Sequence, residues 1–182
     1  AKQAAEVDIL SEGRVRLGIG VGWNHVEYEA LGCEWKTRGV KQGEQIEVLR
    51  KLWTEDLVTY KGRFHDYFEV TVVPQPPQRP IPIWLGGSAP GVIKRAARLG
   101  DGWMPILAPD DNGKKALETF HGHLAEFGRK REDVGMEAWL RFTENDPQAW
   151  AAAADGWRGM GADMAMLYPM WRDEGVTAQI EI

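Results

Sequence analysis

Apolar positions along this chain switch between a helical spacing and an extended one almost from end to end. The spacing predicts a helix over 1–10, stopped by Ser11-Glu12-Gly13. Residues 15–21 follow as a buried strand whose glycines make it a poor helix. A long loop is expected over 22–36. Residues 37–53 read as a helix, with Ile46, Leu49 and Trp53 on one apolar stripe. Residues 58–73 look extended around Lys61-Gly62 and predict an irregular hairpin. The five prolines of 74–82 fit neither a central strand nor a helix interior, so that stretch reads as a stiff connector.

After the connector the rhythm tightens. Ile83-Trp84-Leu85 predicts a strand, and Ser88 is expected to cap a helix reaching Leu99, with Gly100 as its stop. A short strand is predicted over 103–107. A helix over 113–128 carries Leu117, Phe120, Leu124 and Phe127 toward a core. Residues 134–142 alternate and predict a strand. Asp146-Pro147 starts a helix running to Gly161, and residues 164–168 close as a strand. Short strands alternating with amphipathic helices imply parallel pairing with right-handed crossovers. An open doubly wound sheet and an incomplete (β/α) barrel both satisfy that pattern.

Composition then narrows the function. The 182 residues carry 22 basic and 27 acidic side chains, a net charge of −5, so no basic excess exists to bind nucleic acid. One cysteine, Cys33, excludes an internal disulfide framework. No apolar run approaches a membrane helix, and no leader is expected, so the reading is cytoplasmic. The chain starts at Ala1 rather than Met, which reads as the interior of a longer product.

The strongest local chemistry is the run Ile83-Trp84-Leu85-Gly86-Gly87-Ser88, a strand passing into a helix through two glycines. Glycines admit close approach of a ligand to backbone, and the first N–H groups of a helix favour an anion. Lys94 and Arg95 lie one to two turns on and would add charge. A tight connector with solvated basic residues explains the same run. Gly18, Gly20 and Gly22 alternate through a strand exit, but Trp23 and a distant next helix break the dinucleotide fingerprint. Alternating glycines leave one strand face bare, where a flat ring would lie, or where a crowded strand end needs room. Ser88 sits in a run like the nucleophile elbow, yet Pro90 replaces its last glycine, so serine hydrolase is a poor second. His121 and His123, two apart on a helix, do not converge, and no metal is expected. His25 and His65 read as isolated. Trp53, Trp150 and Trp157 fall on helix faces. Trp23, Trp84 and Trp103 sit in or beside strands, where they wall an aromatic ligand or simply pack.

At Asp8-Ile9-Leu10-Ser11-Glu12-Gly13-Arg14 and Leu17-Gly18-Ile19-Gly20-Val21-Gly22-Trp23-Asn24 the chain resembles the bacterial luciferase-like monooxygenases, in their flavin- or deazaflavin-dependent oxidoreductase branch. The likeness continues through Glu27-Tyr28-Glu29-Ala30-Leu31-Gly32, Arg38, Glu44-Gln45, Leu49-Arg50-Lys51-Leu52-Trp53, Gly62-Arg63-Phe64, Pro80-Ile81-Pro82-Ile83-Trp84-Leu85-Gly86-Gly87 and Ala96-Ala97-Arg98-Leu99-Gly100-Asp101-Gly102-Trp103. The resemblance implies a TIM-type (β/α)8 barrel represented by about its last five strands, as a single domain over 1–182 with a hairpin insertion near 55–82. It implies FMN or 8-hydroxy-5-deazaflavin (coenzyme F-420) as cofactor. Gly86, Gly87 and Ser88 match the family's phosphate turn, with Arg95 nearby. Gly20, Gly22 and Trp23 match the strand exit where the ring lies. Deazaflavin-dependent sugar-phosphate dehydrogenases place an acid just past those glycines, and here Trp23 and Asn24 stand there instead. Asp101 is expected to order a strand start.

The implied activity is transfer of a hydride, or activation of oxygen, on a small organic substrate, with no catalytic residue assigned. The alternative is a truncated barrel without a competent pocket. Its uncovered sheet edge would drive self-association, as a homodimer or otherwise.

Overall fold

The computed structural model describes residues 1–141 and 146–168. The chain divides into two compact units, Ala1–Leu85 with Leu99–Asp101, and Gly86–Arg98 with the described residues from Gly102 onward.

The first unit opens with α1 (Lys2–Leu10), then β1 (Leu17–Ile19), α2 (His25–Ala30) and α3 (Arg38–Thr54). The hairpin β2 (Val58–Lys61) and β3 (Asp66–Val70) follows, and β4 (Ile83–Gly86) comes after the proline connector. β1 and β4 are parallel, with Leu17, Gly18 and Ile19 opposite Ile83, Trp84 and Leu85. The hairpin is antiparallel, with Tyr60 opposite Tyr67 and Lys61 opposite Asp66. Ile46 and Trp53 on α3 are buried with Ile81, Ile83 and Leu85 in the core. Asp8 is fully buried and accepts from the Gln78 backbone at 3.0 Å and the Gln78 amide at 2.8 Å, which ties α1 to the connector.

The second unit holds α4 (Pro90–Leu99), β5 (Gly102–Met104), α5 (Asp111–Glu126), a 3-10 turn (Arg131–Asp133), β6 (Gly135–Arg141), α6 (Pro147–Gly159) and β7 (Met164–Tyr168). β6 runs parallel to β5 and to β7, with Trp103 opposite Met136 and Trp139 opposite Met166. Val92, Ile93, Ala96 and Ala97 form the buried face of α4, and Phe120 and Leu124 that of α5. Asp146 caps α6 by accepting from Gln148 and Ala149, with Pro147 in its first turn, as the sequence predicts.

Several boundaries differ from expectation. The first strand keeps only three of seven predicted residues, because pairing ends at Ile19 and Gly22 turns away at φ +70°. The expected loop over 22–36 contains α2, whose cap Asn24 accepts from Val26 at 3.1 Å and donates to Glu27 at 3.0 Å. The strand predicted over 103–107 is Gly102–Met104, since Pro105 has no N–H to extend the ladder. Ser88 does not cap the next helix. That helix starts at Pro90, and the Ser88 hydroxyl oxygen instead accepts the Ile106 N–H at 3.0 Å. Phe142, expected in the sixth strand, lies outside the described residues.

One device recurs at strand starts. In the first unit, Asp101 accepts from the Ile83 N–H and from Arg50, both at 2.8 Å, while its own N–H returns to the Ile83 carbonyl. In the second, Asp163 accepts from the Met136 N–H at 2.7 Å and from Arg131 at 2.9 Å, and its N–H returns to Met136. Burial tends to raise the Asp163 carboxyl, but Arg131 and the Met136 N–H outweigh it and hold the group below the usual carboxylate range. Asp101→Ala leaves the Ile83 N–H and the Arg50 guanidinium short of an acceptor. It is expected to cost about 2 kcal/mol in urea unfolding, as for other hydrogen bonds to charged groups. A loss below about 0.5 kcal/mol, the usual size of an unremarkable surface change, contradicts that role.

Candidate functional site

The turn after β4 is held by backbone and indole hydrogen bonds. Gly87 adopts φ +124°, and an added Cβ would touch the Val92 methyls at 3.4 Å. Its N–H donates to the Met104 carbonyl at 3.0 Å, and its carbonyl accepts the Trp103 indole N–H at 2.8 Å. Trp103 is 1% exposed and stacks on Phe120 with ring centroids 4.7 Å apart, so a buried aromatic pair fixes the turn. Ser88 is held by Ile106, and because its oxygen accepts there, its O–H proton can be given elsewhere.

The helix then begins at once. Pro90 brings no N–H, Val92 and Ile93 both donate to the Ala89 carbonyl, and Gly91 sits in the first turn, where N–H groups lack intrahelical acceptors. Arg95 folds back along α4, its guanidinium nitrogen 3.5 Å from the position of a Gly91 Cβ. Lys94 does not join it. Lys94 pairs with Glu126 at 2.8 Å and lies over Phe127 at 5.5 Å, because one step of a helix rotates it toward α5. Of the second unit's expected site residues, Gly86, Gly87, Ser88 and Arg95 therefore share one turn and helix start.

In the first unit, Gly20 and Gly22 follow β1, and Trp23 is 88% exposed. Gly20 lies on two clefts. One, of about 360 Å³, is lined by Ile19, Gln45, Ile46, His65 and Tyr67. The other, of about 300 Å³, lies between α2 and α3. Trp84 and Trp103 are buried packing residues, and Arg16 covers the Trp84 ring at 4.4 Å.

His65 is not isolated. Its Nδ1 lies 2.8 Å from Glu44 Oε1, and Glu44 also accepts the N–H groups of Arg63, Phe64 and His65 at 2.7–2.9 Å. The carboxylate on α3 thus gathers the hairpin tip, and Gly62 leaves room for it where a Cβ would collide with Glu44. Spacing gives no hint of this cluster, since 21 residues separate the partners. Burial pushes the Glu44 carboxyl up, but the His65 ring and three N–H donors outweigh it, so its pKa lies below the ordinary value. The sign follows. A lowered folded pKa means the clamp stabilises fully above the ordinary carboxylate range and is lost as pH falls through the folded pKa. Amide shifts of Arg63, Phe64 and His65 are expected to move together in that acidic window and to lose the transition in Glu44→Gln. Shifts that titrate identically in the variant contradict the clamp.

His123 pairs with Glu126 at 2.8 Å, while burial and then Arg131 lower the pKa of His121. Among the described residues no group of three His, Cys, Asp or Glu is placed to hold a metal ion, and no helix is long and apolar enough to cross a membrane.

Comparison with known proteins adds the lineage. The family described as luciferase-like monooxygenase matches residues 1–181. An F420-dependent glucose-6-phosphate dehydrogenase of Intrasporangium calvum is 36% identical over 148 residues, 77% of this chain and 44% of the relative. An F420-dependent hydroxymycolic acid dehydrogenase of Mycobacterium tuberculosis is 32% identical over 160 residues, 87% and 44% respectively. The chain therefore spans less than half the length of these curated relatives. An F420-dependent secondary alcohol dehydrogenase, solved in complex with an F420-acetone adduct, superposes with a TM-score of 0.71 at 18% identity, over 92% of this chain and 67% of that one. That likeness carries the fold, an α/β arrangement of the barrel type. On the match along nearly its whole length, this chain belongs to the luciferase-like monooxygenase family.

Proposed function

We propose that this chain is part of an oxidoreductase that transfers a hydride between a phosphate-bearing deazaflavin or flavin and a small organic molecule. One observation carries the reading: the Gly86-Gly87-Ser88 turn runs straight into the start of α4 with Arg95 folded back over Gly91. The donor set fits a phosphate. Ser88 offers its O–H, Gly91 a first-turn N–H, and Arg95 a charge-assisted donor, in the field of the helix start. The bound cofactor would supply the hydride chemistry, and the protein supplies binding and orientation. From the resemblance alone, Gly20, Gly22 and Trp23 are proposed as contacts for a flat ring.

Coenzyme F-420 is favoured over FMN, and dehydrogenation over oxygen activation, because the relatives named above are F420-dependent dehydrogenases. The whole chain is read as one luciferase-like domain carrying the hairpin as an insertion. Self-association belongs to the same reading, since Trp23, Val26 and Leu31 leave apolar surface in water. Sizing chromatography should then give a species larger than a monomer.

Ring fluorescence tests the cofactor. Titrating the chain with coenzyme F-420, FMN and riboflavin should give saturable quenching with a phosphate-bearing ligand. Riboflavin, which lacks the phosphate, should bind about tenfold or more weakly, the size of a lost charge-assisted contact. Equal affinity for FMN and riboflavin, with no binding of coenzyme F-420, sinks the phosphate assignment.

A further inference from the structure

We propose that the first unit carries a second oxyanion site, in the cleft of about 300 Å³ between α2 and α3, which takes the carboxylate or phosphate of a small molecule. Arg38, Lys41, Gln42 and Gln45 stand at i, i+3, i+4 and i+7, which puts them on one helical face, and all four line this cleft.

Arg38 is the centre. Its guanidinium lies 3.4 Å over the Trp35 ring, and Nη1 donates to the Trp35 carbonyl at 2.8 Å, so two contacts set its plane. Its Nε is buried and has no acceptor among the described residues. A guanidinium cannot shed its proton, and a buried N–H left unmade is costly, so a small shift of the side chain that brings Nε to an oxyanion in the cleft would be favoured. A planar carboxylate or a phosphate fits that fork best. Lys41, one turn along, adds a second positive charge.

The opposite wall is firm. Tyr28 donates its O–H to the Val21 carbonyl at 2.7 Å and meets Trp35 edge-on at 5.1 Å. Glu27 and Glu34 also line the cleft, and Glu27 is held by the Asn24 amide at 3.0 Å. Two carboxylates disfavour a bare multivalent anion but accept hydroxyl protons. The matching ligand is thus a hydroxylated small molecule with one oxyanion end. Gly20 and Val21, at the exit of β1, lie on the same cleft.

This site involves residues of the first unit alone and stands whether or not the phosphate turn binds a cofactor. The experiment follows the Arg38 Nε–H resonance of the chain by NMR during titration with inorganic phosphate and, separately, with glycerate. A saturable Arg38 shift is expected with glycerate, tighter than with inorganic phosphate, which lacks carbon-borne hydroxyls and brings more charge against Glu27 and Glu34. Lys41→Gln should weaken that binding about tenfold with the fold unchanged. An Arg38 signal unmoved by both ligands overturns the site, as does undiminished affinity in Lys41→Gln. The amides of Gly87 and Gly91 report on the other turn in the same spectra, so failure of one assignment is not mistaken for failure of the other.

Discussion

Replacing Gly87 with alanine is expected to weaken binding of coenzyme F-420 and FMN about tenfold or more. A side chain at φ +124° is strained, by about 1–3 kcal/mol for such backbone outliers, and here it also presses on the Val92 methyls at 3.4 Å. The turn relieves that strain by moving, and in moving it carries away Ser88 and the first N–H groups of α4. Gly122→Ala is the matched control. A Cβ there meets nothing within 4 Å on a helix, so affinity should hold and stability should rise slightly. Fluorescence titration of the two variants side by side decides it. Equal affinities for Gly87→Ala and the parent protein would contradict the assignment of this turn.

The largest stability effect is expected at Trp103. Trp103→Ala removes a fully buried ring from its stack on Phe120 and leaves the Gly87 carbonyl without its indole donor. Large-to-small changes of this kind cost about 3–5 kcal/mol. Trp103→Phe keeps most of the ring and deletes the hydrogen bond, so its unfolding cost should be nearer 1–2 kcal/mol, about the worth of one bond plus a small void. The two variants should separate by function as well. Trp103→Phe is expected to lose cofactor affinity out of proportion to its stability, because the lost bond anchors Gly87. Urea midpoints and titrations on the same samples provide both numbers. A Phe variant as unstable as the Ala variant would mean the bond, not the ring, holds this region.

The regular elements were legible wherever a periodic signal coincided with a local stop. β6 declares itself by alternation, and α6 by Asp146-Pro147, because both signals act within a few residues. The short helix α2 carries no apolar stripe, since none of its residues is buried. The pair Asn24 and Glu27, three apart, was the available signal. At Ser88 the sequence shows a capping residue type but not the competing Ile106 N–H that claims its oxygen. Glycines at the β4 turn were legible as a place of close approach. The folding back of Arg95 and the turning away of Lys94 were not, since neighbours in sequence differ only in which helix face they occupy.

The least legible features are those joined by tertiary structure. Glu44 gathers a hairpin tip about twenty residues away, and Arg38 is oriented by Trp35, a ring that Tyr28 from another helix meets edge-on. Neither pattern exists until the hairpin and α2 are in place. Asp101 was expected to order a strand start, and its bonds to Ile83 and Arg50 do so. The second copy of the device, at Asp163, lacks the Gly-Asp-Gly-Trp run that marks Asp101.

The most direct measurement is a crystal structure of the chain grown with coenzyme F-420 or FMN. Phosphate oxygens are expected about 3 Å from Ser88 Oγ and the Gly91 N–H, with the Arg95 guanidinium alongside. A cofactor bound with its phosphate elsewhere, and this turn in contact only with solvent, would contradict it.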